Sequence, residues 1–188
     1  MKKRKIPIII SIIGVILIAA GALLFIALEK NKETRYIENY EEITELMVDG
    51  ATDAEDVLNT CKSVWYNSIY KERDEKTDKY TMTDGIFNDD FNDSITALYD
   101  DPFFNMNILN LEENIMEVDK LYSKMRKAPK KYKDIHEDLE EFYDVYIEFM
   151  ELAINPKGSL TSFSEKLSEL DSNVAKLYKK TQRNLGWD

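Results

Sequence analysis

Tyr36–Ser68, YIENYEEITELMVDGATDAEDVLNTCKSVWYNS, is the stretch on which the fold turns. Its apolar or small residues fall at Tyr36, Tyr40, Ile43, Met47, Gly50, Ala54, Val57, Cys61, Val64 and Ser68, alternating by four and three without a break. Residues three and four apart share one side of an α-helix, so this spacing writes a single apolar stripe. A flanking row at Ala51, Leu58 and Trp65 widens it. Glycine inside a helix costs about 1 kcal/mol relative to alanine. Gly50, with Ala51 and Ala54 beside it, therefore predicts either a close helix crossing or a kink near Asp49-Gly50.

Moving outward towards the C-terminus, the same grammar recurs. Lys71–Thr83 has no apolar periodicity and reads as an exposed loop. A short helix fits Asp84–Asp100, with Phe87, Phe91, Ile95 and Leu98 inward and Thr83 or Asp84 as its cap. Asp101-Pro102 breaks it. Further stripes follow at Ile108, Leu111, Ile115, Val118, Tyr122 and Met125, and then at Tyr132, Ile135, Leu139, Phe142, Tyr146, Phe149 and Ala153. The last comprises Leu160, Phe163, Leu167, Leu170, Val174 and Leu177, opening at Ser159 as N-cap. Short Pro/Gly breaks at Ala128-Pro129 and Asn155-Pro156-Lys157-Gly158 force neighbouring helices to pack antiparallel. A second row at Tyr143, Ile147, Met150 and Ile154 asks that helix to contact more than one neighbour. No segment alternates with period two over a useful length, so strands are not expected. The fold class expected is all-α: an up-and-down antiparallel helical bundle of four long helices plus one short, over residues 36–188.

Towards the N-terminus lies a different material. Met1-Lys2-Lys3-Arg4-Lys5, a basic flank over residues 1–5, precedes an apolar run from Ile6 to Leu28. As a helix the run is about 35 Å long, enough for the roughly 30 Å hydrocarbon core of a bilayer. Ala20-Gly21-Ala22 has the look of a signal cleavage site, yet six more apolar residues follow, so residues 6–28 read as a retained single transmembrane helix. With no Cys near the end of the run, lipoprotein-type lipid attachment is excluded. Residues 29–35 read as a juxtamembrane linker. The positive-inside rule counts four Lys/Arg and the amino terminus before the run against Lys30, Lys32 and Arg35 after it. That margin places the N-terminus in the cytoplasm and the bundle outside it, with residues 6–28 embedded in the cell membrane.

Charge limits the partners. The chain holds 25 Lys and Arg against 36 Asp and Glu; setting aside the four basic residues before Ile6 leaves 21 against 36, a net of −15. Such a domain is repelled by nucleic acid and by anionic lipid headgroups. The single cysteine, Cys61, excludes an internal disulfide and, at a stripe position, reads as a small buried residue. Usage rich in Lys, Ile and Asn suits a bacterium with an AT-rich genome.

The chemistry is sparse. His136 is the lone histidine, outside the Glu-x-x-His spacing of di-iron bundles, and with Glu140 four residues on it reads as a solvated surface pair. Asp84, Asn88, Asp89, Asp90 and Asp93 lack the ligand order of an EF-hand loop and read as a capped helix start. Asn92-Asp93-Ser94 matches a glycosylation sequon, inside the expected helix. No catalytic set, cofactor loop or metal site is expected, so the chain does not read as an enzyme. Tyr66, Tyr70 and Tyr80, with Asp89 and Asp90, stand out as a candidate surface for a protein partner. The reading is a membrane-anchored, extracytoplasmic, non-enzymatic interaction module, in an immunity, exclusion or secretion-accessory role. The alternative is a small-ligand-binding or sensor domain signalling through a partner protein.

Overall fold

The computed structural model of the chain describes the backbone of residues 5–186 and the side chains of residues 23–186. The helix α1 spans Lys5–Tyr70 and is shared by two compact units, one ending at Asn39 and one comprising Tyr40–Asp188. In the first unit the described apolar side chains Leu23, Leu24, Phe25, Ile26 and Leu28 are all exposed. Residues 29–35, expected as a linker, are helical, with Thr34 Oγ1 donating to the Lys30 carbonyl at 3.0 Å. Among the described residues no helix is long and apolar enough to cross a membrane. The transmembrane reading of 6–28 rests mainly on side chains before residue 23, outside the described residues, as is Trp187.

The second unit is all-helical apart from one small hairpin. After α1 come a single turn α2 (Asp78–Thr81), the strands β1 (Met82–Thr83) and β2 (Ile86–Phe87), and the short helix α3 (Phe91–Asp100). Three long helices follow: α4 (Pro102–Met125), α5 (Lys133–Ile154) and α6 (Leu160–Leu185). Contacts along their lengths fix the directions. Tyr40 and Trp65 of α1 meet Asn184 and Phe163 of α6, the reverse order. In the same sense Tyr122 stacks on Tyr143, while Asn114 Oδ1 accepts a hydrogen bond from the Tyr146 hydroxyl. The long helices thus form an up-and-down antiparallel bundle.

Every position from Tyr40 onward in the first stripe is buried, as is its flanking row. Thr44 begins that row one heptad before Ala51 and is buried with it. Gly50 settles the crossing-or-kink alternative in favour of the crossing. The helix runs through it unbroken, and a Cβ there would sit 1.9 Å from Asn114 Oδ1. Absence of a side chain lets Asn114 of α4 reach across and donate to the Leu46 carbonyl at 3.1 Å. The Tyr146 hydroxyl of α5 donates to the same amide. One half-buried Asn thereby joins three helices of the bundle.

The helix ends follow local chemistry. Asp101 accepts from the N–H groups of Phe103 and Phe104, with Pro102 at the first helical position of α4. Ser159 and Ser162 form a reciprocal capping box at the start of α6, and Gly186 closes its end at φ +74°.

Residues 71–90 depart most from expectation. Lys71–Thr83 is not simply exposed, because Thr77, Tyr80 and Thr81 are buried. A two-stranded hairpin occurs where no strand was expected, Met82 pairing with Phe87 and Thr83 with Ile86. Asp84 and Gly85 turn it at φ +54° and +80°, the left-handed pair that a two-residue Asp-Gly hairpin needs. Consequently α3 starts at Phe91 rather than at Asp84, and Asp90, not Thr83 or Asp84, is its cap. Leu98 is fully buried as expected, whereas Phe87, Phe91 and Ile95 are half-buried.

Candidate interaction surface

The surface begins where α1 ends. Trp65 and Ser68 of the last turns point inward, so Tyr66, Ile69 and Tyr70 are left on the solvent side. Tyr66 and Tyr70, one turn apart, lie ring to ring with centroids 4.5 Å apart. At Lys71 the backbone turns left-handed at φ +56° and stops the helix. The Lys71 ammonium then donates to the Asn88 carbonyl and sits 5.8 Å from the Phe87 ring centroid. This tie brings the Asp89-Asp90 corner to the end of α1.

Of the five residues singled out in the sequence, four stay outside. Tyr66, Tyr70, Asp89 and Asp90 are exposed, and Asp90 spends one oxygen on the Asn92 N–H at 2.8 Å as helix cap. Tyr80 does not belong to this surface: it is buried, in a turn the sequence presents as loop. Lys79 explains its neighbourhood, placing its ammonium 4.4 Å from the Tyr80 centroid and 2.9 Å from Asp101. The Lys79 ammonium and two backbone N–H groups hold the Asp101 carboxyl down to about 2.

Beneath the surface lies a polar network. Asn88 donates to the Tyr80 carbonyl at 2.9 Å and to Ser94 Oγ at 3.0 Å, and accepts from Thr83 Oγ1 at 2.9 Å. Ser94 and Ser68 share a further bond of 2.9 Å, and Asn67 donates to Thr77 Oγ1 at 2.8 Å. The Asn88 amide is thus committed to the fold, which removes it from any ligand set with Asp84, Asp89, Asp90 and Asp93. Ser94, the third residue of the sequon, is fully buried. Among the described residues no three His, Cys, Asp or Glu side chains are placed to hold a metal ion.

The remaining candidates are internal. His136 corrects the solvated-pair reading: its imidazole is buried, although Nε2 lies 3.5 Å from Glu140 Oε1 as the spacing predicts. The reason is legible afterwards, since His136 extends the second row of α5 one heptad back from Tyr143. Cys61 is fully buried, and desolvation pushes its thiol up to about 12, with the Tyr99 hydroxyl bond a smaller opposing effect. A thiol held there is protonated and poorly nucleophilic. Near the α5–α6 turn an open groove of about 510 Å³ is lined by Glu148, Glu151, Leu152, Lys157 and Lys166. Lys166 is paired with Glu148 at 3.0 Å and Glu169 at 3.8 Å.

Several exposed apolar side chains escaped the sequence reading, those on α4 because each lies off the inward stripe of the helix. Ile86 stands out on the hairpin, and α4 turns Phe103, Met106, Leu109 and Met116 to solvent. An apolar residue on the polar side of a long amphipathic helix is the signal that marks them. Comparison of the chain with protein-family models, with curated proteins and with solved structures gives no match.

Proposed function

We propose that this chain is a non-enzymatic protein-interaction module held at the cell envelope by residues 6–28, with the acidic bundle outside the cytoplasm. The exposed aromatic end of α1 carries the interaction reading. Tyr66 and Tyr70 keep large rings in solvent beside Ile69, in a domain that buries its stripes well. Tyrosine offers a partner wide contact area with little rotamer entropy to lose, and it is enriched in interface hot spots. Asp89 and Asp90, tied nearby through the Lys71–Asn88 bond, favour a basic partner over nucleic acid.

The membrane reading draws on the apolar run and on its described part, where Leu23 to Ile26 and Leu28 leave no polar side to the helix. The basic flank of residues 1–5 supports an inward N-terminus.

Two measurements test the proposal. Protease added to intact cells should digest the bundle, and full protection would reverse the topology. A photo-crosslinking residue at Tyr66 or at the outward α4 position Leu109, in the full chain in native membranes, should give a discrete heavier band. The chain migrating alone from both positions would remove the interaction reading.

A further inference from the structure

The outer side of α4 carries a second apolar row. Phe104, Ile108, Leu111, Val118 and Leu121 face the bundle, whereas Phe103, Met106, Leu109 and Met116 stand 84%, 58%, 52% and 64% exposed. Met106, Leu109 and Met116 fall on the three-and-four spacing of a helix-pairing seam, with the charged Glu113 occupying the position between the last two. A solvated helix face has no need of such a row.

Charge narrows what fits it. From Pro102 to Asp119 there is no Lys or Arg, the first being the exposed Lys120 one turn beyond Met116, while Glu112, Glu113 and Glu117 lie exposed along the helix. On the α1 side, the shallow depression beside the row is lined by Asp53, Asp56, Asn107 and Asn110. A second copy would bring another domain of the same negative sign, and an anionic bilayer would meet the same repulsion. A helix with an apolar stripe and basic flanks meets attraction on both counts. Two of the four apolar residues are methionines, whose flexible thioethers adapt to partners of differing shape.

We infer that the outer face of α4 seats a basic amphipathic helix of a protein partner, with Phe103, Met106, Leu109 and Met116 as anchors and the flanking carboxylates as rim. The inference rests on the interaction-module reading and specifies its recognition chemistry.

The test uses the full chain in lipid nanodiscs and an amphipathic Leu/Lys peptide of about five helical turns, with a Leu/Glu peptide of equal length as control. The Leu/Lys peptide should bind with an affinity that falls as salt rises, and the Leu/Glu peptide should not bind. Replacing Leu109 and Met116 by Ser should weaken binding about tenfold or more while leaving the melting temperature within a few degrees, because half or more of each side chain is already in water. Replacing Tyr66 and Tyr70 by Ser should leave peptide binding unchanged. Equal binding of the two peptides, indifference to the α4 variant, or salt-resistant self-association through this face would each overturn the inference. Crosslinking in membranes separates the two proposals. A partner band from Tyr66 but not from Leu109 sinks this inference alone, and no band from either position sinks both.

Discussion

Between Lys133 and Leu185, α5 and α6 pack along each other, and Leu139, Phe142, Phe149, Phe163, Leu167 and Leu170 on them are all buried and all apolar. Between Lys71 and Asp101 the chain is fastened to the same bundle by amides, hydroxyls and carbonyls: Asn67 to Thr77, Ser68 to Ser94, and Asn88 to Tyr80, Thr83 and Ser94. The difference lies in what each arrangement demands. Apolar burial is non-directional and tolerates small shifts, whereas a buried polar group left without its partner loses about 1–3 kcal/mol. The hairpin between α5 and α6 is therefore held by area and the 71–101 segment by geometry.

The comparison is broken most severely in the apolar half. Phe149→Ala empties a site that is 1% exposed and should lower unfolding stability by about 4 kcal/mol, read by chemical denaturation. A loss below about 1 kcal/mol would mean that α5 and α6 are not packed as described.

In the polar half, Asn88→Ala removes three bonds at once and should cost about 2 kcal/mol. Its signature is local: amide hydrogen exchange should speed up between residues 78 and 100 and stay slow in α5 and α6. Uniform acceleration would mean that the two halves unfold as one.

Acid sharpens the same contrast with a smaller effect. Asp101, at the junction of the 71–101 segment with α4, has its carboxyl held down to about 2. The unfolded chain, near the ordinary value of about 3.9, binds that proton more readily than the folded one. The stability it contributes is present above about pH 4 and is lost as pH falls through about 2. Titration of this carboxyl by NMR should show the depressed value, and Lys79→Met should raise it. A carboxyl titrating near 3.9 in the native protein would remove the Lys79–Asp101 link from the account.

The smallest effect belongs to the exposed aromatic end. Tyr66→Ala should change stability by no more than about 0.5 kcal/mol, because the side chain is already nearly half in water and packs mainly on the exposed Tyr70 ring. A larger loss would make Tyr66 part of the fold rather than of a surface.

These two regions also show what a sequence makes legible. The stripes of α1, α4, α5 and α6 repeat often enough for period alone to orient each helix, and most of their positions are buried as read. His136 and Thr44 were missed because polarity outweighed position; each continues a correctly read apolar row by one heptad. In the 71–101 segment only the short stripe from Phe87 to Leu98 offers a period, and before it there is none to read. Asn67, Thr77, Asn88 and Ser94 look like solvent-facing residues until their partners, among them the stripe residue Ser68, are brought together. Asp84-Gly85 between Met82-Thr83 and Ile86-Phe87 was the available turn signal, and the strands beside it are too short to show alternation. Tyr80 was misplaced with this segment, while Tyr66 and Tyr70 could be placed because they sit on a helix whose inward side was already known. The outer row of α4 was in the sequence as well, overshadowed by the stronger inward stripe.

The Gly50–Asn114–Tyr146 meeting has a consequence for alignment. A heptad stripe matches itself after every seven residues, so apolar pattern alone would let α4 slide about 10 Å along α1 and bury much the same surface. Only one alignment brings the Asn114 amide opposite the glycine that has room for it and the tyrosine that completes it; a helix slipped by one heptad would set that amide against the side chain of Ile43 or Val57. A single polar side chain thus acts as a detent in an otherwise smooth track. Its worth lies less in energy added to the native state than in alternatives denied to it.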